Sequence, residues 1–129
     1  MIDIPDRIRD YLLAQSGVTA VTSTRIWAER DTPPTGYKPN TGGAVTFKVA
    51  GGAPAYSGAY ANVRVQFKSY GVDEAAANSV YRALYDVLKR GGGGGIKSST
   101  VETMGQTLEE PDTGWIFVLF FASFWVNAE

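Results

Sequence analysis

A chain of 129 residues has room for one domain and one two-layer core, and little left to build a second core. Twelve basic residues against thirteen acidic leave a net charge of −1, which gives no electrostatic footprint for nucleic acid or an anionic membrane. With no cysteine and no histidine, the chain has no disulfide framework, no zinc–thiolate site and not the commonest general base.

The first residues, with Asp3, Asp6 and Asp10 among Arg7 and Arg9, match neither a signal peptide nor a transit peptide, so no export is expected. Pro5 after Asp3, then Ile4, Ile8, Tyr11, Leu12 and Gln15 at helical spacing, predict an amphipathic helix over 4–15 that Gly17 ends. Val21 to Trp27 is expected as a short strand. Residues 29–43 then carry Pro33, Pro34, Pro39 and three glycines, which predicts a long loop. Loops of this length are uncommon in compact domains and often functional. Its stretch Arg30 to Lys38, with Asp31, Pro33, Pro34 and Tyr37, is therefore a candidate contact arm, against the plainer reading of a connector.

Two half-buried strands follow. Val45, Phe47 and Val49 share one face against Ala44, Thr46 and Lys48. Over Tyr60 to Tyr70, Ala61, Val63, Val65 and Phe67 point one way, and Asn62, Arg64, Gln66 and Lys68 the other. Gly51, Gly52, Pro54 and Gly58 between them suit an antiparallel hairpin with a wide turn. A second helix is predicted over 73–90, capped by Asp73, with Glu74 near the positive end of its dipole and Lys89 and Arg90 near the negative end. Its apolar stripe is Ala77, Val80, Tyr81, Leu84, Val87 and Leu88. Gly91 to Gly95 form a glycine linker that stops it, expected as a flexible exit. Ile96 to Leu108 reads as one polar strand feeding an acidic turn of Glu109, Glu110, Pro111 and Asp112.

The last run, Trp115 to Val126, has no charge and two apolar faces: Trp115, Phe117, Leu119, Phe121 and Trp125 on one, and Ile116, Val118, Phe120, Ala122, Phe124 and Val126 on the other. Such a strand is normally covered on both sides. The element order predicts a single α+β domain over 1–129, two helices packed on one face of a four- to five-stranded, mostly antiparallel sheet. The second apolar face of the last strand then needs a layer from within this small chain or from a second chain, and subunit assembly is the favoured reading.

Sites of chemistry are few. Glu109, Glu110 and Asp112 match no calcium loop and read as a solvated hairpin tip. The glycine run before Lys97, Ser98 and Ser99 fails as a phosphate loop, because Ile96 separates Gly95 from Lys97 and the run follows a helix. Arg64 and Lys68 with Tyr60 and Tyr70 make a strip like that of some single-strand binders, but two cations on an outer strand face are ordinary. No residue is assigned to catalysis, a cofactor or a metal.

The stretch Ala61-Asn62-Val63-Arg64-Val65-Gln66-Phe67-Lys68-Ser69-Tyr70-Gly71 leads into Asp73-Glu74-Ala75-Ala76-Ala77 and Tyr81-Arg82-Ala83-Leu84. With the strand near Arg25, Ile26 and Trp27, the proline-bearing loop, the alanine-rich helix and the closing aromatic strand, it resembles the tail completion or tail terminator proteins of long-tailed bacteriophages. The five-glycine run and the strongly aromatic ending depart from that pattern. The resemblance spans nearly the whole chain. It implies a non-enzymatic ring, usually a hexamer, that caps the head-proximal end of the tail tube and stops its polymerisation. It also implies a location in the virion after assembly in the host cytoplasm. The implied partners are further copies of the chain, the tail tube protein and a head-completion or connector protein, with no membrane and no sequence-specific nucleic acid. The alternative is a monomeric head–tail connector that oligomerises only on the particle. On either reading Trp115, Phe117, Phe121 and Trp125 are the expected subunit anchors. The tip of Glu109, Glu110 and Asp112 is expected to meet Lys48, Arg64 and Lys68 of a neighbour, and the arm to reach the tube or the connector.

Overall fold

The computed structural model describes residues 3–54, 60–89, 91–93 and 95–127; Gly58 of the hairpin turn, Arg90 at the helix end and Gly94 of the glycine run lie outside them. The first helix, α1 (Ile4–Leu13), starts where the Asp3 carboxylate accepts the Asp6 N–H at 3.1 Å and Pro5 occupies the first turn, where no N–H is needed. The chain then makes a second helix, α2 (Ser16–Thr22), in part of the segment expected as a strand. Val18 and Thr22, four residues apart, are both buried, and the Thr22 hydroxyl donates back to the Val18 carbonyl at 3.1 Å. β-Branched composition favours a strand locally; burial of this one face against the domain outweighs it. Only β1 (Ile26–Ala28) remains of the expected strand.

β1 runs parallel to β2 (Ala44–Pro54), with Ile26 opposite Val45. Parallel neighbours cannot be joined by a hairpin, so the chain must travel back along the sheet before β2 can start. Residues 29–43 make that return as a strap, irregular except for a 3-10 turn at Pro39–Thr41. β3 (Tyr60–Gly71) pairs antiparallel with β2, with one extra β2 residue between Val49 and Gly52. Gly52 sits at φ +136°, where a Cβ would lie 2.0 Å from the Asn62 carbonyl oxygen, so the bulge requires glycine. The extra residue keeps parity: Val49 opposes Val65 and Gly52 opposes Val63, on the same face.

The third helix, α3 (Glu74–Leu88), begins where the Asp73 carboxylate accepts the Ala76 N–H at 2.8 Å. After it, Gly91 to Gly93 do not trail free. The Gly92 N–H donates to the Tyr11 hydroxyl at 3.0 Å, and the Ser99 N–H to the Gly91 carbonyl at 3.2 Å. The single strand expected over 96–108 is two, β4 (Ile96–Val101) and β5 (Gln106–Glu109), each antiparallel to β6 (Ile116–Asn127). Between them the chain leaves the ladder, as the Glu102 N–H donates to the Phe121 carbonyl at 2.9 Å and the Gly105 N–H to the Tyr81 hydroxyl at 3.0 Å.

The result is an α+β domain with one mixed sheet in the order β1-β2-β3-β6-β4, and β5 beside β6. The described residues hold three helices and six strands rather than two and four to five, the additions being α2 and the split of 96–108. The helices cover one face. Val118, Phe120, Ala122, Phe124 and Val126 of β6 join Ile8, Leu12, Val18, Phe47, Val65, Phe67 and Leu84 in the main core. Phe67 stacks on Phe120 with centroids 5.1 Å apart. Each of the buried Val, Leu, Ile and Phe side chains contributes about 1.5–3 kcal/mol. No helix of the described residues is long and apolar enough to cross a membrane.

Candidate functional site

The other side of β6 carries Phe117, Leu119, Phe121, Ser123 and Trp125, and it is treated differently along its length. At its first end the strap lies over it. Tyr37 of the strap is buried with Ala44, Tyr70 and Phe117 in a second, smaller cluster, edged by Trp27, Leu108, Trp115 and Leu119. The Tyr37 ring meets Trp27 at 5.6 Å and Trp115 at 5.5 Å, both edge-on, and Tyr70 meets Phe117 at 5.4 Å. Phe117 is only 6% exposed, so this expected anchor offers no free surface: the chain's own crossover covers it.

Polar groups fasten the strap. The Tyr70 hydroxyl donates to Glu110 Oε1 at 2.7 Å, with the Asp31 carbonyl a longer second contact at 3.3 Å. Lys68 Nζ donates to the same Asp31 carbonyl at 2.9 Å and lies 3.8 Å from Glu110. Burial, and then the hydrogen bond and charge of Glu110, push the Tyr70 phenol well above its ordinary pKa, so it remains a donor. The Glu29 carboxylate takes the Val49 N–H at 2.9 Å, and Lys48 lies 3.5 Å from the Asp31 carboxylate. Within the arm, Pro33 and Tyr37 are buried, Pro34 is half-buried, and Arg30 and Lys38 are exposed. Arg30 is turned onto the Thr32 carbonyl at 3.1 Å. The arm is therefore packed, not extended. Between it and the β5–β6 turn runs a groove of about 430 Å³, bounded by Pro34, Tyr37 and Lys38 on one side and Asp112 and Trp115 on the other.

In the middle of the face, cations roof the aromatic rings. Lys68 Nζ is 4.9 Å from the Phe117 centroid and the Arg64 guanidinium 4.1 Å from that of Phe121. Arg64 pairs with Glu102 at 3.0 Å, and Glu102 also accepts from the Ser123 hydroxyl. That hydroxyl, with Arg64 behind it, holds the Glu102 carboxyl below its usual pKa against the opposing effect of burial. The three cations expected to receive a neighbour's acidic tip thus have acidic partners in their own chain: Lys48 with Asp31, Arg64 with Glu102, and Lys68 with Glu110. Of the tip, Glu110 is used internally, while Glu109 and Asp112 stand exposed.

The far end is open. Trp125 is 40% exposed and borders a pocket of about 290 Å³ with Tyr60, Lys97 and Ser98. Lys97 Nζ lies 4.4 Å from the Tyr60 centroid. Sequence reasoning did not pair Tyr60 and Lys97 with Trp125, because strands β3, β4 and β6 meet there only through their registers. It also missed Trp27 and Tyr70 as strap contacts; an aromatic residue at the edge of a short strand was the available signal. Among the described residues no group of three or more Asp or Glu side chains is placed to hold a metal ion.

No protein-family model matches the chain, and no curated protein matches it in sequence. Its fold does match a solved structure. A chain from the virion of a native gene transfer agent (GTA) particle superposes with a TM-score of 0.65 at 17% identity, over 96% of this chain and 94% of that one. At that identity the likeness is one of fold, and it extends over nearly the whole of both chains.

Proposed function

We propose that this protein is a non-enzymatic structural protein of a phage-like virion, and that its copies join into a hexameric ring, which terminates the tail tube and joins the tail to the head-completion proteins. The observation that carries the reading is the open end of the β6 second face, an exposed tryptophan beside a tyrosine-lined pocket on a strand otherwise covered on both sides. The whole-chain fold likeness to a gene transfer agent virion chain supports the virion setting. The sequence resemblance to tail terminators supports the finer role and the partners, which are copies of itself, the tail tube protein and a head-side connector.

Size-exclusion chromatography with light scattering tests it. A ring is expected alone or on adding tail-tube protein, and a strict monomer under both conditions would sink the ring. Trp125→Ala is expected to weaken assembly with unchanged circular dichroism, since the indole supports little of the core. A second reading has its own observation. Phe117, Lys48, Arg64 and Lys68 are satisfied inside the chain, which suits a connector that is monomeric in solution and assembles only on the particle. Monomers that bind purified tails and are recovered there in stoichiometric multiples would favour it.

A further inference from the structure

Resting on the reading of this chain as an assembling virion protein, we propose which surfaces meet: the acidic tip of one copy docks at the Tyr60–Trp125 pocket of the next, with Asp112 paired to Lys97. The case starts from charge. Among the described residues, Glu109 and Asp112 have no basic partner and Lys97 has no acidic one, whereas four other cations do. Arg9, Arg25 and Arg30 are engaged by the carbonyls of Ile26, Gly43 and Thr32 at 2.8, 2.9 and 3.1 Å. Arg82 leans on the Ser79 hydroxyl at 3.4 Å. Lys38 borders the same groove as Asp112, and Arg7 borders a pocket that already contains Asp10. Among the described residues Lys97 thus stands without an acidic partner, its Nζ 4.4 Å from the Tyr60 ring centroid at the rim of an open aromatic pocket.

Position agrees with charge. The tip precedes β6 and Trp125 is near its end, so the two surfaces lie at opposite ends of a strand of 12 residues, about 40 Å at 3.3 Å per residue. Two different surfaces that complement each other make a heterologous contact, and such contacts repeat head to tail into rings or filaments instead of stopping at a two-fold dimer. The turn of residues 111–114 is exposed, so Pro111 and Asp112 are both open to a neighbour. A proline between the Tyr60 and Trp125 rings with a carboxylate beside Lys97 would satisfy both halves of the pocket. Charge at the rim of an apolar contact sets partner and register.

The test uses charge exchange. Lys97→Glu and Asp112→Lys are each expected to raise the concentration needed for assembly about tenfold or more, as measured by light scattering. Mixing the two single variants restores assembly, because every junction then joins opposite charges, and the double variant Lys97→Glu/Asp112→Lys assembles alone. Singles that assemble like wild type overturn the contact but leave the ring intact. A mixture no better than its components overturns it too. If wild-type assembly is too weak to weigh, the chain's lack of cysteine allows a second measurement. Lys97→Cys/Asp112→Cys is expected to give a ladder of disulfide-linked oligomers under mild oxidant, where either single cysteine variant stops at dimers. A double variant that also stops at dimers overturns the proposal, and a ladder with no ring on the particle would separate the contact from the terminator role.

Discussion

One buried hydroxyl is among the groups that fasten the strap and the β5–β6 turn to the sheet, and Tyr70→Phe tests its share directly. Tyr70 is fully buried, and its hydroxyl spans Glu110 Oε1 at 2.7 Å and the Asp31 carbonyl at 3.3 Å. Removing the oxygen leaves the ring against Phe117 at 5.4 Å and Trp115 at 6.4 Å, so no cavity opens. A hydrogen bond to a charged acceptor contributes about 1.5–3 kcal/mol. Glu110 keeps Lys68 at 3.8 Å, which places the expected loss at the lower end, about 1.5–2 kcal/mol. In urea unfolding with a slope of about 1–3 kcal/mol per molar, the midpoint falls by about 0.5–2 M with the slope unchanged. Glu110→Gln alone and combined with Tyr70→Phe completes a cycle, and the two losses should be less than additive. A loss under about 0.5 kcal/mol for Tyr70→Phe, the size of an ordinary surface change, would mean the hydroxyl does not fasten the strap. The pH dependence has a definite sign. Because the folded pKa is raised above the unfolded value near 10, the contribution is complete below about pH 10 and is lost as pH rises beyond it. Tyr70→Phe should flatten that alkaline decline.

Two further outcomes bear on the core and the helix start. Phe120→Ala removes a ring stacked 5.1 Å from Phe67 and edge-on 5.0 Å from Tyr81, and a thermal melt should report a loss of about 3–5 kcal/mol; a loss below about 2 would mean that the two rings close the gap. Asp73→Ala deletes the acceptor of the Ala76 N–H at 2.8 Å and should cost about 1 kcal/mol, whereas Asp73→Asn should be nearly silent in the same denaturant series. Equal losses for the two would assign the effect to charge at the helix end rather than to the cap.

What was legible in the sequence is what local periodicity encodes. The stripe Ala77, Val80, Tyr81, Leu84 and Leu88 is the buried face of α3, and the alternation in Val45 to Val49 and Ala61 to Phe67 is the helix-facing side of β2 and β3. The parity of Trp115 to Val126 also holds, with the even positions under the helices. The strap was legible as a long proline-bearing segment but not as a cover. Its route follows from the parallel pairing of Ile26 with Val45, a long-range fact that no window of residues contains. α2 was hidden because Val18, Val21 and Thr22 are strand-prone types placed at helical spacing. The 96–108 break was hidden because polar residues such as Glu102 and Thr103 look the same whether they pair in a ladder or turn out of it.

The two-sided apolar strand therefore asks less of a partner than its composition suggests. The strap removes Phe117 from solvent, Arg64 and Lys68 lie over the rings of Phe121 and Phe117, and the open remainder is a patch around Trp125 and Tyr60. A stable protein interface buries about 1,200–2,000 Å² in total, more than one pocket of this size supplies. On the proposed assembly the rest would come from surface that polarity alone does not mark, and the tip with the adjoining strap groove is the candidate. That is why the charge exchange at Asp112 and Lys97 is the more searching experiment. Trp125→Ala asks whether the patch matters, whereas pairing two reversed charges asks which surface lies opposite it.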